Sequence, residues 1–318
     1  MERTPRTLDD STDSVNGGAA VHIDPLIAAT GFAVGVVVGL TGMGGGALMT
    51  PLLVLLFKIQ PLAAVSSDLV AAFVMKPVGA GVHLRRGTVH LDLVKWLVIG
   101  SVPAAFSGVL LLKALGDGDV VQDRIKLLLG VALLVAATSI LAKQQVASRR
   151  AAATIPRTPP TARPLATALV GVVGGLVVGL SSVGSGSLMI VLLLMLYPQL
   201  SARELVGTDL VQAIPLVGSA ALGHLLFGDF RLGVTASLLL GSLPGVYLGA
   251  RVSSRAPDAV IRPILVLVLT LSGLKLLGAS NALVGGCIAI TAVVAAAVVL
   301  RRRRTHAMVE ASVASRTS

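Results

Sequence analysis

Gly39-Leu40-Thr41-Gly42-Met43-Gly44-Gly45-Gly46-Ala47-Leu48-Met49-Thr50-Pro51 sits in the middle of an apolar run, about 25–57, that is too long for one helical crossing of a bilayer. A crossing takes about 20 mostly apolar residues. Glycine loses more conformational freedom in a helix than any other residue, so a cluster of glycines here predicts two short helices joined by non-helical backbone. The second helix is expected to restart near Ala47. A related stretch, Gly179-Leu180-Ser181-Ser182-Val183-Gly184-Ser185-Gly186-Ser187-Leu188-Met189, interrupts the run 164–197 in the same way and predicts a restart near Ser187.

The likeness of the two stretches is part of a longer repeat. The offset is 140 residues through Met49 and Met189, and 141 thereafter. It pairs Asp68-Leu69-Val70 with Asp209-Leu210-Val211, His83-Leu84 with His224-Leu225, and Gly100-Ser101-x-Pro103 with Gly241-Ser242-x-Pro244. Shared Asp, His and Pro argue against chance. The chain is therefore divided into a polar tail (1–24), a first membrane repeat (25–142) and a basic linker (143–163). A second repeat (164–278), an extra transmembrane helix (279–300) and a basic tail (301–318) follow.

Composition supports a membrane protein. Of 318 residues, 54% are hydrophobic and 13% are charged, against about a quarter charged in ordinary soluble domains; the mean hydropathy is +0.90. Further runs of crossing length fall at about 62–84, 91–112, 122–142, 203–227, 231–252, 258–278 and 281–300. A soluble enzyme and a disordered chain are both excluded. The first 24 residues hold five acids and two arginines and do not read as a secretory signal. One cysteine, Cys287, offers no internal disulfide or cysteine metal site, and neither a metal nor a cofactor is expected.

The net charge of +11 would suggest nucleic acid in a soluble protein, but here the cations lie between apolar runs. That placement sets membrane orientation, so lipid is the expected surface partner and nucleic acid is not. The linker (Lys143, Arg149, Arg150, Arg157, Arg163) and the tail from Arg301 to Arg304 should both be cytoplasmic. Five apolar runs separate them. They share a side only if the glycine-broken run goes in and comes back. The same count puts Arg85 and Arg86 inside, and the Asp117-Gly118-Asp119 loop and the N-terminus outside. Each half then crosses an odd number of times, and the second is inverted relative to the first. Inverted repeats with broken helices are the architecture of many secondary transporters. The fold class is thus all-α and polytopic, in the inner membrane, with a cytoplasmic C-terminus.

The Gly-Leu-Thr-Gly-Met-Gly-Gly-Gly-x-Leu-Met-x-Pro stretch, the Ser67-Asp68-Leu69-Val70 segment with Lys76 after it, and the Gly-Ser-x-Pro-x4-Gly element of each half resemble the sulfite exporter TauE/SafE family of membrane permeases. The resemblance covers roughly 30–278. It implies movement of small sulfur-containing anions such as sulfite, thiosulfate or organosulfonates across the inner membrane. The halves differ, since Gly-Ser-Gly replaces Gly-Gly-Gly in the second and Val217 occupies the position of Lys76.

Helix ends at the two breaks carry free N–H groups and a positive dipole end. Aimed at a common cavity they would bind a small anion, with hydroxyls assisting. The candidate substrate-binding residues are Thr41, Gly42, Gly44, Gly45, Gly46, Lys76, Ser181, Ser182, Gly184, Ser185, Gly186 and Ser187. Close packing through small residues is the alternative reading of the glycines. Lys76 lies about 14 residues into its run, where a cation costs roughly 2.5–3.5 kcal/mol. It either lines the path or reaches the headgroups beside Arg85 and Arg86 from a tilted helix.

Asp68 and Asp209 either cap their helices or carry a coupling proton. His83, on the face of Lys76, is a further coupling candidate; His83 and His224 are both placed near helix ends, at opposite membrane faces. Asp68 and Lys76 stand about 80° and roughly 12 Å apart on a helix, so no direct salt bridge between them is expected. Ser101 and Ser242 are expected to satisfy carbonyls freed by Pro103 and Pro244.

A small-anion permease is the expected function. A channel or an accessory scaffold is the alternative, and the oligomeric state is left open. An intramembrane enzyme would need a pair such as Ser185 with His224, and no phosphate loop for ATP is present.

Overall fold

The structure is a computed structural model that describes residues 23–41, 45–114, 119–151, 161–252 and 258–286. Among these residues the secondary structure is helical and includes no strand. The glycine-broken runs become helix pairs: α1 (Pro25–Thr41) with α2 (Gly46–Leu55), and α6 (Pro164–Ser181) with α7 (Leu188–Leu196). Between and after them come α3 (Pro61–Arg85), α4 (Leu91–Ala114), α5 (Asp119–Ala151), α8 (Ala202–Phe227), α9 (Leu232–Val252) and α10 (Asp258–Leu276). Pro61 and Pro164 open their helices, where the missing N–H costs nothing. Ser201 and Glu204 form a capping box at the start of α8.

Among the described residues, six helices (α3, α4, α5, α6, α8 and α9) contain stretches long and apolar enough to cross a membrane. Their outward faces carry exposed leucines and valines, such as Leu110 and Leu111 on α4, Leu169 and Val173 on α6, and Leu222 and Leu226 on α8. In lipid such faces need no cover. With lipid as apolar as leucine, helices associate through close packing and polar contacts, not through the hydrophobic effect. The seams show this. Gly31 and Gly35 of α1 lie against the backbone of Leu238 and Ser242 on α9, and their repeat mates Gly171 and Gly175 of α6 lie against Leu97 and Ser101 on α4.

The main pairings keep to this exchange. α1 packs along α9 and α6 along α4, so the first helix of each half lies on the fourth of the other. α3 packs on α8 and α5 on α10, each a helix against its own repeat mate. α2 and α7 likewise pack against α10 and α5. The halves are interlocked instead of side by side, which places the two glycine breaks in one region.

The second break folds the chain back. Gly174, about two turns before the end of α6, lies against Met189 at the start of α7. At the other end of α7, the Tyr197 hydroxyl bonds Thr167 and accepts from the Arg163 N–H at 2.8 Å, both at the start of α6. The end of α7 therefore returns to where α6 began, as the charge count requires.

Two expectations are modified. α5 continues to Ala151, so the linker expected at 143–163 begins as a helical extension. Ser101 and Ser242 do not serve the carbonyls freed by the prolines. Ser101 Oγ is 3.4 Å from Gln212 Oε1, and Ser242 Oγ has no partner among the described residues. The reason is steric, because the Gly-Ser step is the contact surface for α6 or α1. His224, in the last turn of α8, is fully buried. The first 22 residues, most of the extra helix expected at 279–300, Cys287 and the tail arginines lie outside the described residues.

Candidate functional site: the meeting of two helix breaks

The two breaks touch. A Cβ on Gly46, the first residue of α2, would overlap the carbonyl and hydroxyl oxygens of Ser182, which follows the last residue of α6. Close approach of two backbones is what glycine permits here and alanine would not. The second break is shaped by left-handed residues: Ser182 (φ 58), Gly184 (φ 121) and Gly186 (φ 96). For Ser182 that conformation costs roughly 1–3 kcal/mol and persists only where surrounding contacts hold it. Those contacts come from α3.

Asp68 lies two turns inside α3 and is fully buried. Its Oδ2 accepts a hydrogen bond from Ser182 Oγ at 2.7 Å and one from Thr50 Oγ1 of α2 at 2.8 Å. Its Oδ1 has no hydrogen-bond partner among the described residues. One carboxylate thus joins α3 to both breaks. Two turns further on, Lys76 Nζ donates to Ser185 Oγ at 2.9 Å, in the middle of the second break. Lys76 is the only lysine or arginine buried among the described residues. Asp68 and Asp209 are the buried acids among the described residues.

Asp209 is also two turns inside its helix, α8, and its Oδ1 accepts from Gln212 Nε2 at 2.9 Å. The capping alternative for both acids is therefore overturned. α3 starts at Pro61 after Gln60, which makes no side-chain cap bond, and the cap of α8 is Ser201. His83 stands apart, half-buried, with Nδ1 2.9 Å from Thr88 Oγ1.

Of the other candidate residues, Gly45 lies beside the side chains of Met75, Met49 and Val38. Ser181 Oγ turns back to the Val177 carbonyl at 2.7 Å, closing the last turn of α6. Ser187 precedes α7 and is buried. Thr41 ends α1, and its side chain, with Gly42 and Gly44, lies outside the described residues.

The pairing of Ser185 with His224 does not form. Ser185 holds Lys76, while His224 Nε2 donates to the Gly179 carbonyl at 2.9 Å and Nδ1 faces Ser66 Oγ at 2.9 Å. Three polar residues of the region escaped the sequence reading: Thr50, Gln212 and Ser66. A signal for them existed in the repeat itself, because their mates are Val191, Ala71 and Gly207. A polar residue where its mate is apolar marks where the halves stop being equivalent.

The family model for the sulfite exporter TauE/SafE family matches residues 27–276. Over 248 residues the chain is 38% identical to "Probable membrane transporter protein YjnA" of Bacillus subtilis (strain 168), covering 78% of this chain and 97% of that protein. It is 27% identical over 248 residues to "Probable membrane transporter protein YdhB" of the same organism, covering 77% of this chain and 97% of the relative. No solved structure matches the chain. With interlocked halves, six membrane-length helices and this match across the described bundle, the chain is a multi-pass membrane protein that belongs to the sulfite exporter TauE/SafE family.

Proposed function

We propose that the protein is a secondary permease moving a small anion, a sulfur oxyanion or a short organosulfonate, across the inner membrane. The observation that carries this reading is the Lys76–Ser185 contact. It puts a buried ammonium at a helix break, where α7 begins and its dipole is positive. An isolated cation there is costly, and an anion that displaces the Ser185 hydroxyl would meet both charge and donors. The substrate is taken to sit among Lys76, Ser182, Gly184, Ser185, Gly186 and Ser187 of the second half. Thr41, Gly42, Gly44, Gly45 and Gly46 of the first half, with Ser181, complete the surround. Asp68, Asp209 and His83 are the coupling candidates.

Each half is one membrane repeat, 25–142 and 164–278, and the second is inverted. The linker and the C-terminal tail face the cytoplasm, after an extra crossing at 279–300. Alternate opening of the two halves moves the substrate past the breaks.

The test is counterflow of labelled sulfite, thiosulfate and methanesulfonate in proteoliposomes. Saturable counterflow of one of these, with neutral analogues of equal size excluded, is expected. Non-saturable flux would make the protein a channel, and no flux of any anion would make it a scaffold.

A further inference from the structure

Resting on the permease reading, the geometry points to Asp68 alone among the three coupling candidates as the proton carrier, with its bonds to Thr50 and Ser182 as the latch that the proton releases. We propose this from the unequal hydrogen bonding of the two repeat-related acids. Asp209 accepts from the amide nitrogen of Gln212, whose own oxygen faces Ser101 Oγ. An amide nitrogen only donates, so Asp209 Oδ1 is already engaged as an acceptor. Asp68 is held by two hydroxyls, both on Oδ2, and its Oδ1 is the buried atom left over. A proton added at Oδ1 displaces no existing bond. His83 is half-exposed beside Thr88, outside the contact between the breaks.

The consequence of protonation follows from what the bonds join. Thr50 belongs to α2 of the first half and Ser182 to the break of the second. While Asp68 is ionised, both bonds are charge-assisted and clamp the breaks together. When Oδ1 takes a proton, the bonds become neutral and lose roughly half their strength. Ser182, held in a left-handed conformation, is then freer to relax. The step forms one O–H bond at Oδ1 with a proton from water on one side and breaks it when the proton returns to water on the other.

The ionisable groups around this site are few. α3 itself carries Lys76, then His83 and Arg85 in its last turn. α8 brings Asp209, His224 and, at its start, Arg203 and Glu204. α2 and the segment 182–187 have none, α9 has Tyr247 and Arg251 near its end, and α5 brings Asp123, Arg124 and Lys126 in its first turns. Of these, Lys76 stands two turns along α3 from Asp68 and is, like it, buried.

The experiment uses the full chain in proteoliposomes, with labelled sulfite, thiosulfate or methanesulfonate as the probe and a lumenal pH dye. Wild type should show counterflow at equal pH and, under a pH gradient, accumulation with a matching dye signal. Asp68→Asn should lose gradient-driven accumulation and the dye signal while measurable counterflow remains. Asp209→Asn should keep the wild-type ratio of protons to anions and bind the anion more weakly. An Asp68→Asn protein that still accumulates anion at the wild-type proton ratio overturns the proposal, as does loss of that ratio in Asp209→Asn. If Asp68→Asn does not counterflow, Thr50→Val and Ser182→Ala decide. Both keep the carboxylate and should leak protons without anion, and an unchanged ratio in both overturns the latch. A wild-type protein with no counterflow of any probe refutes the permease reading itself, an outcome distinct from any of these.

Discussion

Lys76 Nζ and Ser185 Oγ are 2.9 Å apart across 109 residues of sequence, and the repeat mates of both, Val217 and Gly45, have no atoms with which to make the same bond. The fold is built from two related halves, but its polar centre is not. α3 reaches into the second break with two charged side chains. Its mate α8 has Val217 at the position where α3 has Lys76. A site of this kind holds its ligand in one orientation, against the second break, instead of on an axis between equivalent halves.

Lys76→Gln tests that centre directly. The substitution keeps length and hydrogen-bonding ability and removes the charge, so membrane insertion and folding should persist. Counterflow of the substrate anion should be abolished. Unchanged kinetics would take Lys76 out of the path.

Ser185→Ala acts in a less obvious direction. In the unliganded protein it strips Lys76 of its hydroxyl partner, and a hydrogen bond to a charged group contributes about 1.5–3 kcal/mol. The detergent-solubilised protein should therefore melt lower than wild type. Added substrate anion should stabilise the variant more than it stabilises wild type, since the anion no longer competes with Ser185. Equal melting with and without anion would show that the hydroxyl does not occupy the anion's place.

The packing of the breaks is tested by two alanine substitutions on glycines with opposite surroundings. Gly46→Ala drives a methyl into the Ser182 carbonyl, and forced overpacking costs about 1–3 kcal/mol. Gly81, inside α3, has nothing within 4 Å of where a Cβ would stand. Alanine there should be neutral or stabilise by about 0.5–1 kcal/mol, the ordinary gain for a helix interior. Thermal unfolding of both variants in detergent checks the pair, and equal effects would mean that the breaks do not meet closely.

Much of this was legible in the sequence because glycine clusters in runs too long for one crossing admit few explanations. The restarts expected near Ala47 and Ser187 fall at Gly46 and Leu188. The depth of Lys76 was legible from its distance to either end of its run. The partners of Asp68 were not, because Ser182 is 114 residues away and only the interlocking of the halves brings it near. The capping alternative failed for a local reason. It measured Asp68 from the preceding loop, whereas Pro61 at the first helical position had already marked where α3 starts. His224 shows the remaining limit. Position near a helix end says nothing about whether a neighbouring helix covers that end, and here Ser66 of α3 and Gly179 of α6 both do.

The return of α7 toward the start of α6 has a consequence for sidedness. Arg163 and Pro198 flank the α6–α7 pair, are both exposed, and are held near one another because the Tyr197 hydroxyl accepts from the Arg163 N–H. If α6 and α7 together crossed the membrane once, these residues would lie on opposite sides. Folded back, they share a side, which on the proposed orientation of the basic linker before Arg163 is the cytoplasmic one. In a Cys287→Ser background, which removes the sole native thiol, Arg163→Cys and Pro198→Cys should both react with an impermeant maleimide in inside-out vesicles and resist it in right-side-out ones. Glu2→Cys, in the acidic N-terminal tail, should show the reverse pattern. Opposite labelling of Arg163→Cys and Pro198→Cys would remove the fold-back, and with it the even crossing count that places the linker and the C-terminal arginines on one side.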